Sequence, residues 1–353
     1  MKRFILLLTI LLPLGCSNQE PPKAVQAKEV SQIEEDDSSP KLTFTSGIRS
    51  MFEDSKGSHW FGSLQEGVCV WTGTAFSYFT TENGLSHNQV LSIQEDDNGR
   101  IWFGTQKGVS SFDGHKMTDH SQDIVMDAQD EWRKTEKDLW FNAGIKEGIY
   151  QYDGQSIRYL AFPNPKVINP HSIYSVTSLS KGSNGMLWMG TYPGVFGYDG
   201  KEFTIINDET LGLDVSREPL HIRSLLEDSK GRLWIGNNGI GVLLKTTDAI
   251  VNFSEKNKLI HPGSSRRGDP SPPGTLEHVF TIAEDAQGNI WFGDRDAGIW
   301  KYDGQGMTNY TTKDGLTNDF ALSIYEDRSG TLWFGMRDGS VYTFNGKTFE
   351  KQF

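Results

Sequence analysis

Cysteine is scarce, with two in 353 residues, Cys16 and Cys69. That excludes a disulfide framework and a Cys-rich zinc module. Basic side chains are outnumbered, since Lys and Arg total 34 against 46 Asp and Glu, a formal net charge of −12. Phosphate backbones demand a basic footprint, so this balance argues against a nucleic-acid partner. No stretch of useful length has the 3.6-residue period of a helix. Long apolar runs are missing too; the run Phe4–Leu12 is too short to cross a bilayer. No nucleophile elbow, His-Glu-x-x-His or phosphate loop occurs. The eight histidines are scattered without metal-ligand spacing, so neither a metal nor a cofactor is expected. The surplus lies in 38 glycines and 10 tryptophans.

Residues 1–15 pair Lys2 and Arg3 with the apolar run, which reads as an export signal. The run ends in Leu12-Pro13-Leu14-Gly15-Cys16, which resembles the bacterial lipoprotein signal, where a small residue precedes a lipidated cysteine. The resemblance implies lipidation at Cys16, with Pro13 standing where that family prefers Leu. An ordinary cleaved secretory signal is the alternative. Residues 16–40 carry almost no large apolar side chain and an acidic cluster from Glu34 to Asp37. Such a segment buries too little to order and reads as a flexible tether. Cys69 then reads as a small apolar residue buried on a strand.

From residue 41 to 353 the chain repeats itself. A phrase made of Glu-Asp, a Gly three residues later and a Trp followed by Phe or Ile and then Gly recurs at Glu53-Asp54 … Trp60-Phe61-Gly62 and at four equivalents ending in Gly104, Gly236, Gly293 and Gly335. Looser copies centre on Trp140 and Trp188. The tryptophans at 60, 102, 140, 188, 234, 291 and 333 are 42, 38, 48, 46, 57 and 42 apart. Periods of that size mean a solenoid or a propeller with four-stranded blades. Each unit divides into strand a (Val90–Ile93), a tight turn (Asp96-Asp97-Asn98-Gly99), strand b with the Trp, strand c, an Asp-Gly or Asn-Gly turn, and strand d. The expected fold is all-β, a seven-bladed β-propeller of four-stranded antiparallel blades over 41–353. The Trp is expected to wedge between sheets, the Glu-Asp pair to cap the hairpin rather than do acid–base work, and Asp96–Gly99 to be a turn rather than a calcium loop. A hydroxyl recurs on strand a (Ser50, Ser92, Ser178, Ser224, Thr281, Ser323) and reads as a packing demand near the axis.

These residues resemble the two-component regulator propeller repeat. The resemblance covers 41–353. It implies the extracytoplasmic ligand-sensing part of hybrid histidine kinases, or a stand-alone exported protein of the same make. No span, kinase or regulator domain follows the propeller, so the chain is expected to act without a signalling domain of its own.

In such a fold the b–c and d–a connections share one face. Here they vary most, with long d–a segments at Phe162–Ser172, Asn207–His221 and Phe253–His278, the last holding Arg266, Arg267 and Asp269. Binding residues concentrate on variable loops above a rigid scaffold. The expected channel-mouth site takes Arg49, Tyr174, His221, Arg223 and His278 from the starts of strands a. The b–c loops add Tyr192, Asn237, Asn238, Asp294, Arg295, Asp296, Arg337 and Asp338. Clustered arginines favour a carboxylate-, phosphate- or sulfate-bearing ligand. The leading expectation is an exported, lipid-anchored binding or sensor module on a bacterial membrane. It would take a small-molecule or glycan ligand, or a membrane or periplasmic protein partner. The less favoured readings are a lyase or hydrolase resembling the streptogramin lyases, and a pure scaffold.

Overall fold

The computed structural model describes residues 40–126, 132–163, 174–182, 185–213, 220–263 and 270–353. Cys16, where lipidation is expected, and nearly all of the expected signal and tether lie outside them, as do Arg266, Arg267 and Asp269.

Every repeat folds as one antiparallel sheet, its strands hydrogen-bonded in chain order. The first holds β1 (Ile48–Glu53), β2 (His59–Ser63), β3 (Val68–Trp71) and β4 (Phe76–Phe79). The second holds β5 (Val90–Glu95), β6 (Ile101–Thr105), β7 (Val109–Phe112) and β8 (Met117–Asp119). Among the described residues the third has three strands, β9 (Leu139–Asn142), β10 (Gly148–Tyr152) and β11 (Ile157–Ala161). The fourth runs β12 (Val176–Lys181), β13 (Leu187–Thr191), β14 (Gly194–Tyr198) and β15 (Phe203–Asn207). The fifth runs β16 (Ile222–Glu227), β17 (Leu233–Asn237), β18 (Val242–Lys245) and β19 (Ile250–Asn252). The sixth has β20 (Val279–Glu284), β21 (Ile290–Asp294), β22 (Ile299–Tyr302) and β23 (Met307–Tyr310). The seventh has β24 (Ala321–Glu326), β25 (Leu332–Met336), β26 (Val341–Phe344) and β27 (Phe349–Lys351). The result is a seven-bladed propeller in which β1, β5, β12, β16, β20 and β24 pack on one another round the axis.

The third blade departs from the pattern. Its β9 carries Trp140, the strand-b residue, yet it lies between β5 and β12. Val125 bridges Arg158 at the outer edge of β11. Trp132 stacks on Trp140 and Phe162 and meets Tyr198 and Phe203 of the fourth blade. On the channel side, the carbonyls of Trp140 and Asp138 accept from the side chains of Gln94 and Lys181. Side chains of the two neighbouring blades thus satisfy backbone groups that an inner strand satisfies elsewhere.

Burial explains the tryptophans. Trp60 packs on Phe103 and Phe112 of the next blade, and Trp291 on Phe334 and Phe344. Each such side chain removes about 150–250 Å² from water, on the order of 4–6 kcal/mol of transfer free energy. Every indole N–H in the five close repeats finds an acceptor, the Asp of the Glu-Asp pair, at 2.8–2.9 Å. The other oxygen of that Asp takes two turn amides, as Asp96 does from Asn98 and Arg100. The hairpin-cap reading therefore holds, and Asp96–Gly99 is a turn. The Glu reaches further. Glu95 accepts from Ser55, Glu284 from Ser229 and Glu326 from Ala286, each in the blade before. Glu53 accepts from Arg328 and so carries the same clamp from the first blade to the seventh.

Ring closure needs no shared sheet, because the C-terminal β27 completes the seventh blade itself. Residues 42–45 form no strand. Phe44 instead enters an apolar cluster with Phe61 and Trp333, against which Phe353 packs. Cys69 is fully buried on β3, and burial pushes its thiol pKa up.

Candidate ligand site in the central channel

The inner strands share one irregularity. In six blades the pairing of strand a with strand b skips a residue at the same place: Arg49, Leu91, Thr177, Arg223, Phe280 and Leu322. A bulge leaves its extra residue unpaired and re-aims the side chain. The close fit of neighbouring strands shows why it occurs here: a Cβ on Gly62 would lie 2.3 Å from Ser50 Oγ. In five of the six blades the recurring hydroxyl residue thus sits on a strand-b glycine, as the packing reading requires, and in all six the residue before it is the bulged one.

Five of these residues line a cavity of about 360 Å³ in the channel, together with Gln89, Gln106, Asn142, Ser175 and Tyr192. Gln106, Gly144 and Tyr192 belong to b–c loops, so the cavity lies toward the variable face. Arg49 reaches across the channel. Its guanidinium donates to the Leu322 carbonyl at 3.4 Å and to the Thr177 carbonyl of the fourth blade at 3.3 Å. Burial lowers its pKa, the Arg223 charge lowers it further, and Tyr192 opposes both. The Arg223 guanidinium carbon lies 5.1 Å from the Tyr192 ring centroid and 4.8 Å from that of Phe280. It donates to Tyr192 Oη at 3.4 Å, while its buried Nε has no partner. Burial again lowers the pKa most, Tyr192 raises it, and Arg295 lowers it.

The structure thus brings Arg49, Tyr192 and Arg223 together at the channel. His221 stands behind them, edge-on to Tyr192 with ring centroids 4.6 Å apart. Asn238 links His221 to His278. Its side chain meets His221 Nδ1 at 3.3 Å and His278 Nδ1 at 2.8 Å.

Two placements are corrected. His278 is fully buried in the wall, its backbone N–H donating to Asp294, rather than at the mouth. Tyr174 is buried in the apolar cluster between the third and fourth blades, edge-on to Phe196. Both precede strand a and turn into the protein, whereas the bulge two residues beyond His221, at Arg223, faces the channel. Asn237 and Asp294 are likewise fully buried. Asp294 accepts four backbone N–H groups, yet burial pushes its carboxyl up to about 6.

Arg295 and Arg337 lie beside a second, open cavity of about 540 Å³ between the sixth and seventh blades. Arg295 Nε pairs with Asp296 at 2.7 Å, each side chain about one-fifth exposed. Such a pair contributes little. Asp338 accepts from Thr317 and Ser340.

Leu91, Thr177 and Phe280 were not among the expected site residues. The signal was present, since each directly precedes the recurring hydroxyl. Among the described residues, no three His, Cys, Asp or Glu side chains gather as a metal site.

Comparison with known proteins accords with this geometry. The profile described as the two-component regulator propeller matches residues 84–107, 217–239, 274–296 and 315–338. A 40-residue stretch is 45% identical to Histidine kinase P4 of Formosa agariphila, covering 11% of this chain and 3% of that one. The extracellular domain of a hybrid two-component system from B. thetaiotaomicron superposes with TM-score 0.64 at 21% identity. That likeness covers 87% of this chain and 40% of the other. A virginiamycin B lyase from Staphylococcus aureus, solved with quinupristin, gives TM-score 0.60 at 16% identity over 85% of this chain and 95% of the lyase. At these identities the likenesses concern the fold alone. The chain is a seven-bladed propeller, four stretches of which match the two-component regulator propeller repeat.

Proposed function

We propose that this chain is an exported, lipid-anchored capture module of the sensor type, and that its ligand enters the central channel from the face of the b–c and d–a connections. The observation that carries this reading is the channel cavity, walled in part by the bulged residues of five blades. Concave, largely preformed sites with a few convergent polar groups are the usual seat of small ligands. The export signal and Gly15-Cys16 support an anchor at Cys16, and the extracellular placement of the sensor domain with the same fold supports export. Kinase signalling belongs to those longer proteins and is not carried over. The alternative occupant of the same face is a membrane or periplasmic protein.

The test fills the cavity. The purified chain is screened by thermal shift against small acids, sugars and their neutral analogues. Leu91→Trp and Thr177→Trp together are expected to weaken every genuine hit at least tenfold while the ligand-free variant still melts cooperatively, at a midpoint lowered only by loss of the Thr177 hydroxyl's two bonds. Hits that bind the double variant as tightly as the parent would overturn the channel assignment.

A further inference from the structure

Four of the six bulge positions carry neutral side chains; the remaining two, Arg49 and Arg223, carry the cavity's positive charge. Among the described residues lining the cavity there is no carboxylate at all. We propose that the channel is an anion site, in which a carboxylate, sulfate or phosphate group of the ligand seats between the guanidinium groups of Arg49 and Arg223. This rests on the channel reading above and names the chemistry of its ligand.

Several observations converge. A buried charge is ordinarily paired, because taking it out of water without a counter-charge is costly. Here two like charges share one cavity and each depresses, or is depressed by, a neighbouring arginine. Arg49 has neutral carbonyl acceptors at 3.3–3.4 Å, near the outer limit of hydrogen bonding. Arg223 has aromatic rings on its flanks and an unpartnered, buried Nε. Stacking of this kind holds a guanidinium plane fixed while leaving its N–H edge for a bidentate anion. The whole chain has a formal charge of −12, so generic electrostatics would repel an anion from most of the surface. A positive cavity inside an acidic shell therefore selects for a ligand whose acid group reaches the channel. Gln89, Gln106 and Asn142 offer uncharged hydrogen-bonding groups round the same cavity, suited to the neutral remainder of such a ligand.

The experiment uses the full chain at constant ionic strength. Sulfate and inorganic phosphate test a bare ion. Glucuronate against glucose, and benzoate against benzyl alcohol, test an acid group carried on an organic body. Thermal midpoints and isothermal titration are read for the parent, Arg49→Gln, Arg223→Gln and Arg223→Lys. At least one anion is expected to bind saturably, and any acid to bind at least tenfold more tightly than its neutral analogue. Each Gln variant is expected to lose at least tenfold in that affinity. Arg223→Lys keeps the charge but not the planar fork and is expected to fall between parent and Gln. Ligand-free midpoints of the Gln variants are expected to hold or rise, since a repulsive pair has been removed. A bare ion binding as well as any organic acid would identify a free inorganic anion as the source and still support the site. Three results would overturn the proposal: no anion binding to the parent, anion binding undiminished in both Gln variants, or ligand-free midpoints that collapse in both. Neutral molecules binding as tightly as acids, with Leu91→Trp and Thr177→Trp blocking them, would remove the anion claim and leave the channel reading standing.

Discussion

Asp228 shows how a single side chain closes several needs at once. It is fully buried. One carboxylate oxygen accepts the Lys230 and Arg232 amides at 3.0 and 2.9 Å; the other accepts Arg232 Nε and the Trp234 indole. Replacing it with alanine strands these donors, and an unsatisfied buried donor costs about 1–3 kcal/mol. Asp228→Ala is accordingly expected to destabilise the chain by about 3 kcal/mol in urea unfolding, allowing for partial rescue by water. A loss under about 1 kcal/mol would contradict the latch. This role was legible in sequence because the same Asp stands six residues before the Trp in five repeats. Tyr174 and His278 were not legible. Their positions just ahead of strand a look equivalent to a channel mouth, yet packing turns both side chains inward.

Strands and turns were readable from alternation, from Asp-Gly and Asn-Gly pairs, and from the tryptophan period. The inner-strand bulge was not readable as a bulge, because a skipped pairing leaves no composition of its own, although the recurring hydroxyl marks the residue after it. It follows from a tertiary demand, the approach of the recurring hydroxyl to a strand-b glycine on a crowded axis. The third blade was also hidden at this scale. Its Trp140 marks strand b correctly, but among the described residues β9 is the strand nearest the axis. The six recurring hydroxyls include no member from this blade, and that gap, with the looser repeat phrase round Trp140, was the sequence's sign of the difference. Leu91 and Thr177 line the channel cavity rather than a packed core, so tryptophan there should cost less than the roughly 1–3 kcal/mol of core overpacking, although at Thr177 it also removes the hydroxyl's bonds to the Gly190 and Ile222 carbonyls. That contrast is why the cavity-filling pair reports on binding rather than on folding.

For the molecule as a whole, closure and charge decide behaviour. The ring shuts through contacts rather than a shared sheet: Ser323 Oγ donates to the Ile48 carbonyl at 2.7 Å, Glu53 caps Arg328, and Phe44 seals the outer seam. Phe44 is 7% exposed and meets Tyr78 edge-on at 5.5 Å. Phe44→Ala is expected to cost about 3 kcal/mol, the lower end for a large-to-small change in a core. Calorimetry checks it, and an unchanged midpoint would show that residues ahead of the first blade play no part in closure. The central claim concerns the channel, where an acidic molecule keeps two arginines with no carboxylate among the described residues that line the cavity. It is tested most directly by soaking crystals of the chain in selenate and measuring anomalous scattering at the selenium edge. The account predicts a peak in the channel within hydrogen-bond reach of both Arg49 and Arg223. Peaks confined to the outer surface, with none between these two residues, would contradict it.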